Sequence, residues 1–262
     1  MVRMMLFLLL VFSLPARADL AGAREAYRTG DYEGALKSYL DAGPSAEARF
    51  GACQTLLVIG GFFREGDAAA RALHGALDHC AAAIKSDPQM IDAHISYAIG
   101  LGLEGKRLRK PSLAKQCRSL LEEHLVVWDD YPELNAALGG WHTQVAEAGF
   151  LARLFLGGRR SKARHYLEKA VALAPNNIAV RLEYIKFLAL GKKRERHQAL
   201  EAFTVFASLS PQDAAEALLK ERAQGLRQAL EANDKKAIET AVGAVSAFTG
   251  IEHWRALPAY QD

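Results

Sequence analysis

Prolines at 88, 132, 175 and 211 divide the middle of this chain at spacings of 44, 43 and 36 residues. Each follows one stretch with helical apolar spacing and precedes another. Proline cannot continue a helix but is tolerated in its first turn. A regular series of prolines in helix-forming sequence therefore marks a regular series of helical units. The intervening sequence is rich in Ala, Leu, Glu, Lys, Arg and Gln, which favour helix. No run alternates β-branched residues with period two. The spacing predicts an all-α chain whose helices run about 12 to 20 residues.

The first segment, "MVRMMLFLLLVFSLPARAD", has another character. Arg3 is a short basic region and Met4 to Leu14 is an apolar run. That run is too short to span a bilayer comfortably. Pro15 and Ala16-Arg17-Ala18 then give a small-residue cleavage pattern. Residues 1–18 read as a secretory signal peptide cleaved after Ala18, with Asp19 as the mature start. This predicts an exported protein, with the periplasm as its expected compartment. No later apolar run approaches membrane-spanning length, so no transmembrane span is expected in the mature chain.

Losing Arg3 and Arg17 lowers the formal net charge from +3 to +1. Neither that charge nor an exported compartment suggests a nucleic-acid partner. The three cysteines are 53, 80 and 117, an odd number that cannot all pair within one chain. All three lie in apolar helical patterns and read as small buried residues. If one bridge forms, Cys53–Cys80 is the expected pair, since the two flank one hairpin.

The repeated segments carry a resemblance. "AREAYRTGDYEGALKSYLDA" supplies Gly30, Tyr32, Ala35, Tyr39 and Ala42. The unit ending at Pro88 supplies Ala76, Cys80 and Ala83, and the unit ending at Pro175 supplies Ala163, Leu167 and Ala170. These segments resemble tetratricopeptide repeats (TPR), helical hairpins of about 34 residues. Within that superfamily, "LGGWHTQVAEAG" followed by "HYLEKAVALAP" resembles repeat proteins related to regulators of microtubule dynamics. It also resembles periplasmic repeat proteins that accompany TRAP-type solute transporters. The middle units are longer than the family's, with extra residues around 101–110 and 147–160.

The resemblance implies an α-solenoid of stacked antiparallel hairpins over residues 19–211. One hairpin cannot bury its apolar stripe alone, whereas stacked hairpins cover one another. Residues 212–232 and 234–248 read as capping helices, and the tail to residue 262 is expected to pack back on them. The family's register turns Asp92, Ile95, Ile99, Thr143, Glu147, Leu182 and Lys186 toward a concave groove. Trp141 takes a core position against the partner helix. His142 falls where the family prefers a small residue, and a hydrogen-bonding partner is expected for it.

The turns "EGKRLRK", "GGRRSKAR" and "GKKRERH" are basic, while the opposite turns are acidic or neutral. Equivalent turns of a solenoid line one edge. This predicts a basic rim carrying Arg107, Arg109, Arg159, Arg160, Lys192 and Lys193. The rim would face an anionic membrane, an envelope polymer or an acidic protein, or serve only to complement helix dipoles and keep the surface soluble.

No HExxH, CxxC, GxSxG, Walker-type or EF-hand pattern occurs. The sequence therefore nominates no catalytic residue, metal ligand or cofactor. The expected function is a non-enzymatic exported scaffold that holds a protein or peptide in its groove. The alternative is a small-molecule or lipid-binding module, for an apolar ligand, cooperating with a TRAP-type transporter. A hydrolase built from scattered His and carboxylates is the weakest reading.

Overall fold

The computed structural model describes residues 20–261, so the signal-peptide segment lies outside the described residues. Those residues form α1 (Leu20–Thr29), α2 (Tyr32–Asp41), α3 (Ala46–Val58), α4 (Gly66–Ser86), α5 (Ile91–Leu108), α6 (Pro111–Leu125) and α7 (Pro132–Glu147). There follow α8 (Phe150–Leu156), α9 (Arg160–Leu173), α10 (Ile178–Ala189), α11 (Lys193–Ser208), α12 (Ala214–Ala232) and α13 (Lys235–Val245). Among the described residues there is no strand.

The prolines do what their spacing predicts. Pro88 stands just before α5, Pro132 is the first residue of α7, Pro175 precedes α10 and Pro211 precedes α12. Each opens the first helix of a hairpin. Side-chain caps set other starts: Asp31 accepts from the Gly34 amide at 3.0 Å, Asn177 from Val180 at 3.0 Å and Asp213 from Glu216 at 2.8 Å. The hairpins are α1–α2, α3–α4, α5–α6, α7–α9, α10–α11 and α12–α13, each packed on the next. The extra residues of the middle units are absorbed by a long α5 and by α8, inserted between the two helices of the fourth hairpin.

Close helix approach explains the small residues. Ala163 and Ala170 are fully buried, and a Cβ on Gly139 would overlap Leu167. The largest core cluster joins Leu167 and Ile185 to Phe203, Phe206, Leu226 and Val242, so the last three hairpins share one interior. Cys53 and Cys80 form a disulfide across α3 and α4, with Cα atoms 5.4 Å apart. Cys117 is buried as a free thiol, and burial pushes its pKa up to about 12.

The C-terminus departs from expectation. α13 stops at Val245, where Ser246 turns to an extended backbone (φ -85°, ψ 145°), and Phe248 follows in a left-handed conformation (φ 55°). The tail does not pack on the last helices. It crosses to the second and third hairpins, where Phe248 and Ile251 join Ala69, Leu73, Leu77 and Leu101 in one cluster. A π-turn at Ile59–Phe63 receives it. There the Phe248 amide donates to the Gly61 carbonyl at 2.9 Å, and the missing Cβ of Gly60 leaves room for the Phe248 ring. α12 also returns to the start of the chain. Ala214 meets Gly30, and Arg222 donates to the Phe62 carbonyl at 3.0 Å.

Candidate functional site

The first helices α5, α7 and α10 each have a stripe that reaches the surface, open on α5 and α7 and half-buried on α10. An α-helix turns 100° per residue, so a stripe recurs every three or four positions. On α5 it includes Ile99, on α7 Gly140, Gln144 and Glu147, and on α10 Glu183 and Lys186. Lys186 donates to Glu183 at 2.6 Å. A Cβ on Gly140 would stand 3.4 Å from the Glu183 carboxylate. At Gly140 the α7 backbone carries no side chain and lies beside the charged pair on α10.

Of the groove residues predicted from sequence, Ile99, Glu147 and Lys186 lie on this stripe. Asp92 is half-buried and accepts from the Tyr131 hydroxyl at 2.7 Å, which ties α5 to the start of α7. Ile95, Thr143 and Leu182 are not groove residues, because all three are buried. Thr143 returns its hydroxyl to the Gly139 carbonyl at 2.8 Å, and Ile95 and Leu182 sit in core clusters. On α7 the exposed residue is the next one, Gln144, and on α10 the half-buried Glu183 is the more accessible neighbour of Leu182. A shift of 100° is enough to carry a side chain from the surface into the core.

The basic edge also changes. Arg107 is fully buried and does not belong to it. Its Nε and Nη2 donate to the Glu104 carboxylate at 2.7 Å each. Nη1 donates to the carbonyls of Trp254 (3.0 Å) and Leu257 (2.9 Å), and Nη2 also to Pro258 (2.8 Å). All five guanidinium hydrogens are thereby used. Burial pushes the Glu104 carboxyl up, but Arg107, the Tyr260 amide and His74 outweigh it and hold the pKa below its ordinary value.

Arg160 is half-withdrawn. It pairs with Glu147 and Glu195, donates to the Phe187 carbonyl and lies 4.5 Å over the Phe187 ring. Arg109, Arg159, Lys192 and Lys193 are exposed.

Trp141 is a core residue, but its indole reaches the preceding hairpin and donates to the Ala114 carbonyl at 2.9 Å. His142 is fully buried, and neither ring nitrogen has a hydrogen-bond partner, contrary to expectation. It stacks on Tyr166 at 5.9 Å and meets Trp141 edge-on at 5.0 Å. Burial, reinforced by Lys162, Arg118 and Arg159, lowers its pKa to about 4. Among the described residues no group of three His, Cys, Asp or Glu side chains is placed to hold a metal ion. No described helix is long and apolar enough to cross a membrane.

Stacked hairpins with small residues at each crossing find a counterpart among solved structures. TTC0263, a thermophilic TPR protein of Thermus thermophilus, superposes with a TM-score of 0.56 and 21% identity over 78% of this chain and 96% of that one. The fold is that of a TPR protein. PilF of Pseudomonas aeruginosa aligns with 85% of this chain and 86% of its own, at 19% identity and a TM-score of 0.45. No family model and no curated protein sequence matches the chain. The TPR architecture puts Gly140, Gln144, Glu183 and Lys186 on the first helices of successive hairpins.

Proposed function

We propose that this protein is an exported, non-enzymatic TPR scaffold that holds an extended segment of a protein partner along the stripe from Ile99 to Lys186. The observation that carries this reading is Gly140. A bare turn of helix beside the Glu183–Lys186 pair lets a partner's backbone approach α7 and meet both charges on α10. Ile99 adds an apolar contact at one end of the stripe, and Gln144 a neutral polar one. Arg109, Arg159, Lys192 and Lys193 provide a second, basic surface for an anionic partner or envelope surface.

Two features support export. One is the signal-peptide pattern of residues 1–18. The other is the Cys53–Cys80 bridge, which suits an oxidising compartment. The small-ligand reading, with its TRAP-type transporter, has less support. A hollow of about 280 Å³ lies at the junction of Phe62, Arg222, Thr249 and Trp254, away from the stripe.

A photo-reactive amino acid at Gln144, tested in the native host's cell envelope, examines the scaffold reading. A discrete protein adduct is expected. The yield should fall about tenfold or more when Gly140→Arg or Lys186→Glu is added, equivalent to about 1.4 kcal/mol of binding. An adduct that is unchanged by both substitutions would remove the stripe from the binding surface.

A further inference from the structure

The segment α8 is neither helix of the fourth hairpin pair, yet it is held against both α6 and α7. Glycines with positive φ, Gly149 (102°) and Gly157 (77°), bound it on each side. Ala152 and Leu156 pack into the cluster that α6 and α7 share. Arg118 of α6 donates to the Leu156 carbonyl at 2.7 Å while lying 5.2 Å from the Trp141 ring centroid. On the opposite face Phe150, Leu151, Leu154 and Phe155 are each 64 to 68% exposed. At 100° per residue these four fall within one 140° arc. They form a fixed ridge of four large apolar side chains, on a hairpin insertion that a minimal repeat does not need.

Exposed basic side chains outnumber acidic ones around the ridge, with Glu122 and Glu147 at its margins. Residues 105–121 and 148–167 carry no Asp or Glu; of their cations Arg107 is buried against Glu104, and Arg160 and Arg164 are paired with glutamates. Lys115, one turn before Arg118 on α6, is exposed, as are Arg153 within α8 and Arg159 and Lys162 just after it. An apolar face flanked by exposed cations is the composition of an interfacial helix on an anionic bilayer.

We infer that α8 is a membrane-docking element. Phe150, Leu151, Leu154 and Phe155 enter the headgroup boundary of an anionic phospholipid bilayer, and Lys115, Arg153, Arg159 and Lys162 contact its phosphates. This rests on reading the basic edge as a contact for anionic surfaces, and it is independent of any partner on the stripe. The ridge form favours a bilayer over a protein, because a fluid interface accepts a protruding helix without a matching recess. A second copy of this chain is disfavoured by charge, since the two acid-free basic segments would face each other.

The test uses residues 19–262, which contain every described element and lack the apolar leader. Co-sedimentation is measured with vesicles of phosphatidylcholine alone and of equal parts phosphatidylcholine and phosphatidylglycerol. Binding to the anionic vesicles is expected. It should drop at least tenfold in the variant Phe150→Ser/Leu151→Ser/Leu154→Ser/Phe155→Ser and in Lys115→Gln/Arg153→Gln/Arg159→Gln. Leu154→Cys provides a second readout that does not depend on the quadruple variant folding. With Cys53–Cys80 bridged and Cys117 buried, an environment-sensitive dye attaches at position 154, and its emission should shift to the blue on anionic vesicles. If the quadruple variant binds as well as wild type and the dye shows no shift, charge alone acts and α8 is not a membrane element. If neither vesicle binds wild type, the anionic-bilayer reading of the edge falls as well. Loss of an acidic protein partner from the quadruple variant, without vesicle binding, would make the ridge a protein contact and overturn the inference.

Discussion

Arg107 and Glu104 form a fully buried bidentate ion pair, three residues apart on α5, and the pair grips a tail that lies about 150 residues further along the chain. Glu104 accepts from the Tyr260 amide at 3.0 Å, so both partners hold the tail. Lys106 adds a surface pair to Glu252 at 3.2 Å.

Removing one partner of such a pair strands the other in the interior. Arg107→Ala is expected to cost about 3–5 kcal/mol. Arg107→Lys should recover little, because one ammonium cannot reach carbonyls and carboxylate spread around a planar fork. In Glu104→Met/Arg107→Met the loss should be clearly less than the sum of the single losses. Urea unfolding measures all of these, and faster tryptic cleavage after the exposed Arg255 should accompany the single substitutions.

His142 predicts a pH dependence. Its folded pKa of about 4 lies below the ordinary 6.5, so the unfolded chain binds a proton that the folded one refuses. Stability therefore falls as pH drops from about 6.5 toward 4, and the group contributes no pH dependence above that window. His142→Phe keeps the ring stacking on Tyr166 and removes two unpartnered nitrogens. The variant should be more stable at pH 7.5 by about 1 kcal/mol. Its advantage should grow by about 2–3 kcal/mol at pH 4.5, at about 1.4 kcal/mol per pKa unit. A constant difference between the two proteins across pH would contradict the buried, neutral imidazole.

The disulfide closes a separation of 27 residues within the second hairpin. For a loop of that size the chain-entropy model gives about 3–4 kcal/mol. Reduction, or Cys53→Ser/Cys80→Ser, should lower the urea midpoint accordingly. Cys117, buried with its thiol pKa pushed up, should stay unreactive toward maleimide in the folded protein.

Two glycines in helices should respond oppositely to alanine. At Gly139 the new methyl would overlap Leu167, and Gly139→Ala is expected to cost about 1–3 kcal/mol. Gly225, exposed in α12, has nothing within 4 Å of its Cβ position. Gly225→Ala should therefore stabilise the protein by about 0.5–1 kcal/mol through helix propensity alone. Thermal unfolding of the two variants separates close packing from propensity.

Much of the architecture was legible because it depends on local chemistry. Pro88, Pro132, Pro175 and Pro211 announce hairpins by what proline cannot do, and Ala163, Leu167 and Ala170 announce a helix crossing by size. The basic character of Arg109, Arg159, Lys192 and Lys193 could be read from turn position. Arg107, four residues from Pro111 in the same run, could not be told apart from them, since only contact with residues 254–260 makes it a core group. The signal available was weak: "EGKR" places Glu104 and Arg107 one helical turn apart, as many surface pairs do. α8 was hidden for a related reason. "FLARLFL" reads as core by composition, and only the packing of Ala152 and Leu156 shows that the four larger residues face outward.

The sequence by itself determined the all-α class and the placing of the hairpins at the prolines. Propensity, proline chemistry and helical periodicity act within a few residues. Tertiary structure alone decided which of two adjacent helical residues is exposed, as with Thr143 and Gln144. It also decided where the tail docks and that His142 is sealed without a partner. Each of these depends on atoms distant in sequence, and 100° of helix rotation or one crossing segment is enough to reverse a residue's environment.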